Sequence, residues 1–87
     1  MFCSLLRYIK MTQTAYVLIS AKYGQERAIS QDLMHHDEVE DINILYGQYD
    51  ILVKLAAKDM KSINDFILTH IRSHPHIEQT QSLIVVN

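Results

Sequence analysis

The stretch Val39-Glu40-Asp41-Ile42-Asn43-Ile44-Leu45-Tyr46-Gly47-Gln48-Tyr49-Asp50-Ile51-Leu52-Val53-Lys54-Leu55-Ala56-Ala57 decides the fold. Its first part, residues 39–46, alternates. Ile42, Ile44 and Tyr46 stand against Asp41, Asn43 and Leu45, which is the period of a strand with two unlike faces. Gly47-Gln48 then interrupts as a tight-turn candidate. Residues 49–57 continue as a second strand, rich in Ile, Leu and Val. Two strands joined by so short a break pair as an antiparallel hairpin.

Each side of the hairpin repeats one pattern. Towards the N-terminus, residues 14–20 read as a strand, Gly24 breaks it, and residues 25–36 read as a helix. Ile29 and Leu33 form that helix's stripe, flanked by Ala28 and Met34. Asp37 and Glu38 end it in a charged turn. Towards the C-terminus, Asp59 stands in N-cap position. Ile63, Phe66, Ile67 and Ile71 make the stripe of a second helix that ends before Pro75. His74, preceding the proline, is biased to extended geometry. Residues 77–86 are the last strand. The order βαββαβ gives an α+β, ferredoxin-like sandwich, a four-stranded antiparallel sheet with both helices on one face.

A sheet covered on one side normally turns polar residues to the other. Here Ile51, Val53 and Leu55 oppose Leu52, Lys54 and Ala56; Val17 and Ile19 oppose Tyr16 and Leu18; Leu83 and Val85 oppose Ile84 and Val86. Leaving four or five large apolar side chains in water forgoes roughly 1.5–3 kcal/mol each, a sum that rivals the stability of a small domain. The expectation is a homodimer packed sheet to sheet, of the dimeric α/β-barrel type.

Composition narrows the function. The chain has 87 residues, 48% of them hydrophobic, and a net charge of −2, enough for one domain. Its eight Lys and Arg are scattered singly, so direct nucleic-acid binding is not expected. The longest apolar runs are about five residues, against roughly 20 for a membrane span. Cys3 is the single cysteine, which suits a reducing, cytoplasmic setting. Residues 1–13 read as an N-terminal tail or alternative start, and residues 14–87 as the domain. His70 and His74 have helical i, i+4 spacing, with His76 nearby and His35-His36 adjacent, but no third ligand completes a metal site. No nucleophile or phosphate-binding motif occurs. No catalytic residue, cofactor or metal is expected.

The chemistry concentrates at the hairpin tip. Gly47 serves the turn, but Asp50 opens an apolar strand, where an acid lowers strand propensity and so calls for a partner. Backbone N–H groups at such a turn can hold a carboxylate, and a nearby Asp can pair with an ammonium. Together they suit the two ends of a free amino acid.

These residues resemble a known family. Tyr46-Gly47-Gln48-Tyr49-Asp50-Ile51-Leu52 is similar to the G-x-Y-D signature of the effector-binding domain of Lrp/AsnC transcription regulators, called RAM for regulation of amino-acid metabolism. The opening Ala15-Tyr16-Val17-Leu18-Ile19, Gly24, Ile63-Asn64-Asp65-Phe66-Ile67 and Ile77-Glu78-Gln79-Thr80-Gln81-Ser82 fit the same order. The resemblance implies sheet-to-sheet dimers that associate further, often into octamers, with an amino acid bound between dimers. By it, Gly47, Gln48, Tyr49 and Asp50 line the ligand site with Thr80 and Ser82, and Asp50 meets the ammonium. Gln48 departs from a position often acidic in the family, which argues against a basic ligand side chain; Ser82 replaces a common threonine. Thirteen residues before the first strand are too few for the family's helix-turn-helix, so a stand-alone module is expected. It would sense amino acids or co-assemble with full-length regulators. Two other readings stay open: an interaction-only subunit that caps regulator assemblies, and a small dimeric α/β-barrel enzyme, an oxygenase or isomerase. A cavity between sheet and helices containing His35 or His70 would favour the enzyme.

Overall fold

A computed structural model describes residues 13–86; Asn87, Cys3 and the rest of the expected tail to residue 12 lie outside them. The chain runs β1 (Gln13–Ala21), α1 (Glu26–Leu33), β2 (Val39–Ile44), β3 (Ile51–Ala57), α2 (Met60–Phe66) and β4 (Ile77–Ile84), α2 continuing as a π-turn over Ile67–Ile71. The sheet order is β2-β3-β1-β4, all pairs antiparallel. This is the expected ferredoxin-like arrangement. No helix among the described residues is long and apolar enough to cross a membrane.

The alternation in the central strands decides what is buried. Ala15, Val17 and Ile19 of β1 and Ile51, Val53 and Leu55 of β3 are fully buried, packed with Ile29, Leu33, Ile63, Phe66, Ile67 and Ile71 from the helices. Strand residues directly paired across an antiparallel ladder share a face. The register pairs Leu18 with Leu52 and with Gln81, Tyr16 with Lys54 and with Leu83, and Thr14 with Ala56. These form the second face. Tyr16, Leu18 and Leu52 on it are half-buried and Leu83 is 45% exposed. A polar margin surrounds them, including Asp41, Asn43 and the Lys54–Glu40 ion pair at 3.4 Å. The apolar second face is therefore a central strip along β1 and β3.

The structure corrects four boundaries. First, α1 stops at Leu33, because the His36 N–H turns back to the Leu33 carbonyl and the His36 ring packs edge-on against Phe66. Second, the hairpin turn is not tight: pairing ends at Ile44 with Ile51, leaving residues 45–50 as a loop closed by Leu45 N–H to the Asp50 carbonyl. Tyr46, expected on the strand, is fully exposed in this loop. Third, the second helix gains a π-turn, with Arg72 N–H bonded to the Ile67 carbonyl five residues back. Fourth, β4 ends at Ile84. Asp59 caps α2 as expected, its Oδ1 accepting from the Ser62 N–H at 2.8 Å.

Candidate functional site

The loop of residues 45–50 is held by its last two members. The Asp50 N–H donates to the Ile19 carbonyl at 2.8 Å, and its Oδ2 accepts from the Ala21 N–H at 2.8 Å. These bonds explain an acid at the head of an apolar strand: the end of β1 loses its regular register between Ser20 and Ala21, and the carboxylate satisfies an N–H there. The Tyr49 hydroxyl hydrogen-bonds the Gln81 Oε1 at 3.1 Å, linking the loop to β4. Gly47 has φ +151°, and a Cβ at this position would meet nothing within 4 Å, so backbone conformation and not space selects glycine there. Gly47 and Gln48 are exposed.

Thr80 and Ser82 stand on the edge strand β4, on the helix side: Thr80 pairs with Ile19 and Ser82 with Val17, both core residues. Two adjoining clefts meet at Thr80. One, of about 390 Å³, is lined by Tyr49, Arg72, Ile77, Glu78, Gln79 and Thr80. The other, of about 510 Å³, is lined by Asn64, Ile67, Leu68, Arg72, Thr80 and Ser82. Of the six residues read from the sequence, the fold brings Tyr49, Thr80 and Ser82 to this edge. Gly47, Gln48 and Asp50 line neither cleft; they shape and project the loop that carries Tyr49.

Sequence reasoning missed Arg72, which borders both clefts. A helix extrapolated at its usual period does not place it, because the π-turn displaces the residue that follows. Four of the five histidines meet in two pairs, His36 with His70 and His74 with His76. The His70 ring packs at a tilt against His36, ring centroids 4.2 Å apart, and against Phe66 at 4.9 Å. His74 Nε2 meets Asp32 Oδ2 at 2.8 Å, while its Nδ1 accepts from the His76 N–H. Among the described residues, no three His, Cys, Asp or Glu are placed to hold a metal ion. The space between sheet and helices is filled by aliphatic side chains and Phe66, and neither His35 nor His70 borders the two clefts.

Comparison with known proteins gives a consistent result. Residues 14–87 match the family described as the Lrp/AsnC ligand binding domain. The HTH-type transcriptional regulator FL11 of Pyrococcus abyssi is 32% identical over 72 residues, covering 83% of this chain and 47% of that protein. The chain thus spans about half the length of that curated relative. Among solved structures, FFRP-DM1 superposes with a TM-score of 0.83 at 32% identity, over 85% of this chain and 99% of that one. The hypothetical protein PHS023 of Pyrococcus horikoshii superposes with a TM-score of 0.82 at 32% identity, over 86% of this chain and 90% of that one.

Proposed function

Because the chain belongs to the Lrp/AsnC ligand-binding domain family, the regulatory module of transcription regulators, we propose that it binds a free amino acid at the β4 edge and converts occupancy into a change of assembly. The observation that carries this reading is the Tyr49–Gln81 hydrogen bond. It ties the signature loop to the strand bearing Thr80 and Ser82, beside the clefts that meet at Thr80. The exposed loop tip at Gly47 and Gln48 then completes the cleft of a neighbouring dimer. The apolar strip of Tyr16, Leu18, Leu52 and Leu83 builds the homodimer, and dimers associate through their ligand-bearing ends into a higher oligomer such as an octamer.

This domain supplies effector binding and association, without operator contact of its own, and acts in the cytoplasm through co-assembly with full-length Lrp/AsnC regulators. Non-enzymatic action fits a sheet–helix interior packed with aliphatic groups. Thermal-shift screening against the twenty amino acids, followed by light scattering with and without each binder, tests the reading. The expected result is that at least one amino acid raises the melting temperature and changes the mass distribution. Absence of any binder would refute it.

A further inference from the structure

Resting on that reading, the geometry points to Arg72 and Glu78 as the residues that hold the two charged ends of the amino acid, Arg72 the carboxylate and Glu78 the ammonium. Among the described residues lining the cleft of about 390 Å³, they carry the only charges. Neither makes an ion pair among the described residues, with each other or with any other group. An unpaired cation and an unpaired anion bordering one polar cleft are complementary to a zwitterion, and each gains a partner when one enters.

Local structure supports both assignments. The π-turn fixes the backbone of Arg72 through its bond to the Ile67 carbonyl at 2.8 Å, so the guanidinium arises from an anchored base. Its planar fork suits two-point contact with a carboxylate. Glu78 sits where the β1–β4 register shifts, between Ile77, paired with Ala21, and Gln79, paired with Ser20. That irregularity frees its side chain from strict alternation. Asp50, the residue to which the family resemblance gives the ammonium, has Oδ2 committed to the Ala21 N–H and does not border this cleft. It acts here as a positioning residue for the loop.

The test compares ligand discrimination and not affinity alone. Thermal-shift screening of the wild-type chain identifies the best-binding amino acid. Calorimetry then measures that amino acid, its methyl ester and its 2-oxo acid on wild type, Arg72→Gln, Glu78→Gln and Asp50→Asn. Wild type is expected to prefer the free amino acid over either analogue by roughly ten- to hundredfold, as charge-assisted hydrogen bonds do. Arg72→Gln should bind the ester as well as the acid, and Glu78→Gln should bind the 2-oxo acid as well as the amino acid. Both side chains are exposed, so the unliganded melting temperature should stay unchanged. Discrimination that persists in both variants, or that is lost instead in Asp50→Asn, would overturn the assignment while leaving the amino-acid-binding reading intact. If no amino acid binds wild type, the reading and the assignment fall together.

Discussion

Replacing Leu52 with Glu should separate the proposed sheet-to-sheet dimer while leaving the fold of each chain intact. Leu52 pairs with Leu18 across the two central strands, and both are half-buried on the sheet face away from the helices. Completing the burial of a leucine already half covered contributes about 1 kcal/mol. A two-fold interface presents each residue twice, so the Leu18–Leu52 patch contributes about 4 kcal/mol to association. Leu52→Glu removes about half of that and places two unpaired carboxylates in the interface, each at a desolvation cost of several kcal/mol. A net loss above about 5 kcal/mol weakens dimerisation by more than about 10³-fold, which carries a micromolar dimer into the millimolar range. Sedimentation equilibrium measures the shift, and circular dichroism verifies the monomer's fold, since Leu52 is outside the buried core. An unchanged association constant would show that the sheet face is not the dimer interface.

Three further outcomes are expected. Gly47→Val imposes a β-branched residue at φ +151° with no steric neighbour, so it should destabilise by about 1–3 kcal/mol through backbone strain alone; chemical denaturation checks this, and an unaltered midpoint contradicts it. His74→Ala removes a ring bonded at both nitrogens, to Asp32 and to the His76 N–H, and should cost about 1–3 kcal/mol. Asp32→Asn, which keeps an acceptor for the Nε2–H, should cost less; equal losses would mean the ring acts only by packing. The carboxyl of Asp59 is held below its ordinary pKa of 3.8, first by the Ser62 backbone N–H and then by the Ser62 side chain. A lowered folded pKa means the cap's stabilisation is complete above pH 3.8 and is lost as pH falls through the folded value. Asp59→Asn should therefore flatten the acid limb of the melting-temperature profile, and an acid limb identical to wild type would rule out this cap as its source.

The topology was legible because burial leaves a period in sequence. Alternation in residues 39–46, apolar and β-branched runs in residues 14–20, 49–57 and 77–86, two helical stripes and the Asp59 cap placed all six elements. The wide loop was not legible. Gly47-Gln48 looks like a two-residue turn until Asp50 is seen to direct its N–H and carboxylate to Ile19 and Ala21 of another strand. The place of Arg72 beside the clefts was hidden by the π-turn over Ile67–Ile71. The contacts of the histidines were not legible either. His70 and His74 have the separation of a helical pair, yet one packs at a tilt against His36 and the other reaches α1. Long-range contacts of this sort leave no local pattern to read.

The attachment of Asp50 to β1 makes that strand a shared mechanical member. Its Ala21 N–H and Ile19 carbonyl anchor the signature loop, its inward residues Val17 and Ile19 lie in the core, and its outward residues Tyr16 and Leu18 lie on the second face. In the proposed assembly, a shift of the loop on ligand entry draws on the same backbone that presents those two side chains to a second copy. On the proposed reading, effector occupancy and dimer geometry are two readouts of one strand's position.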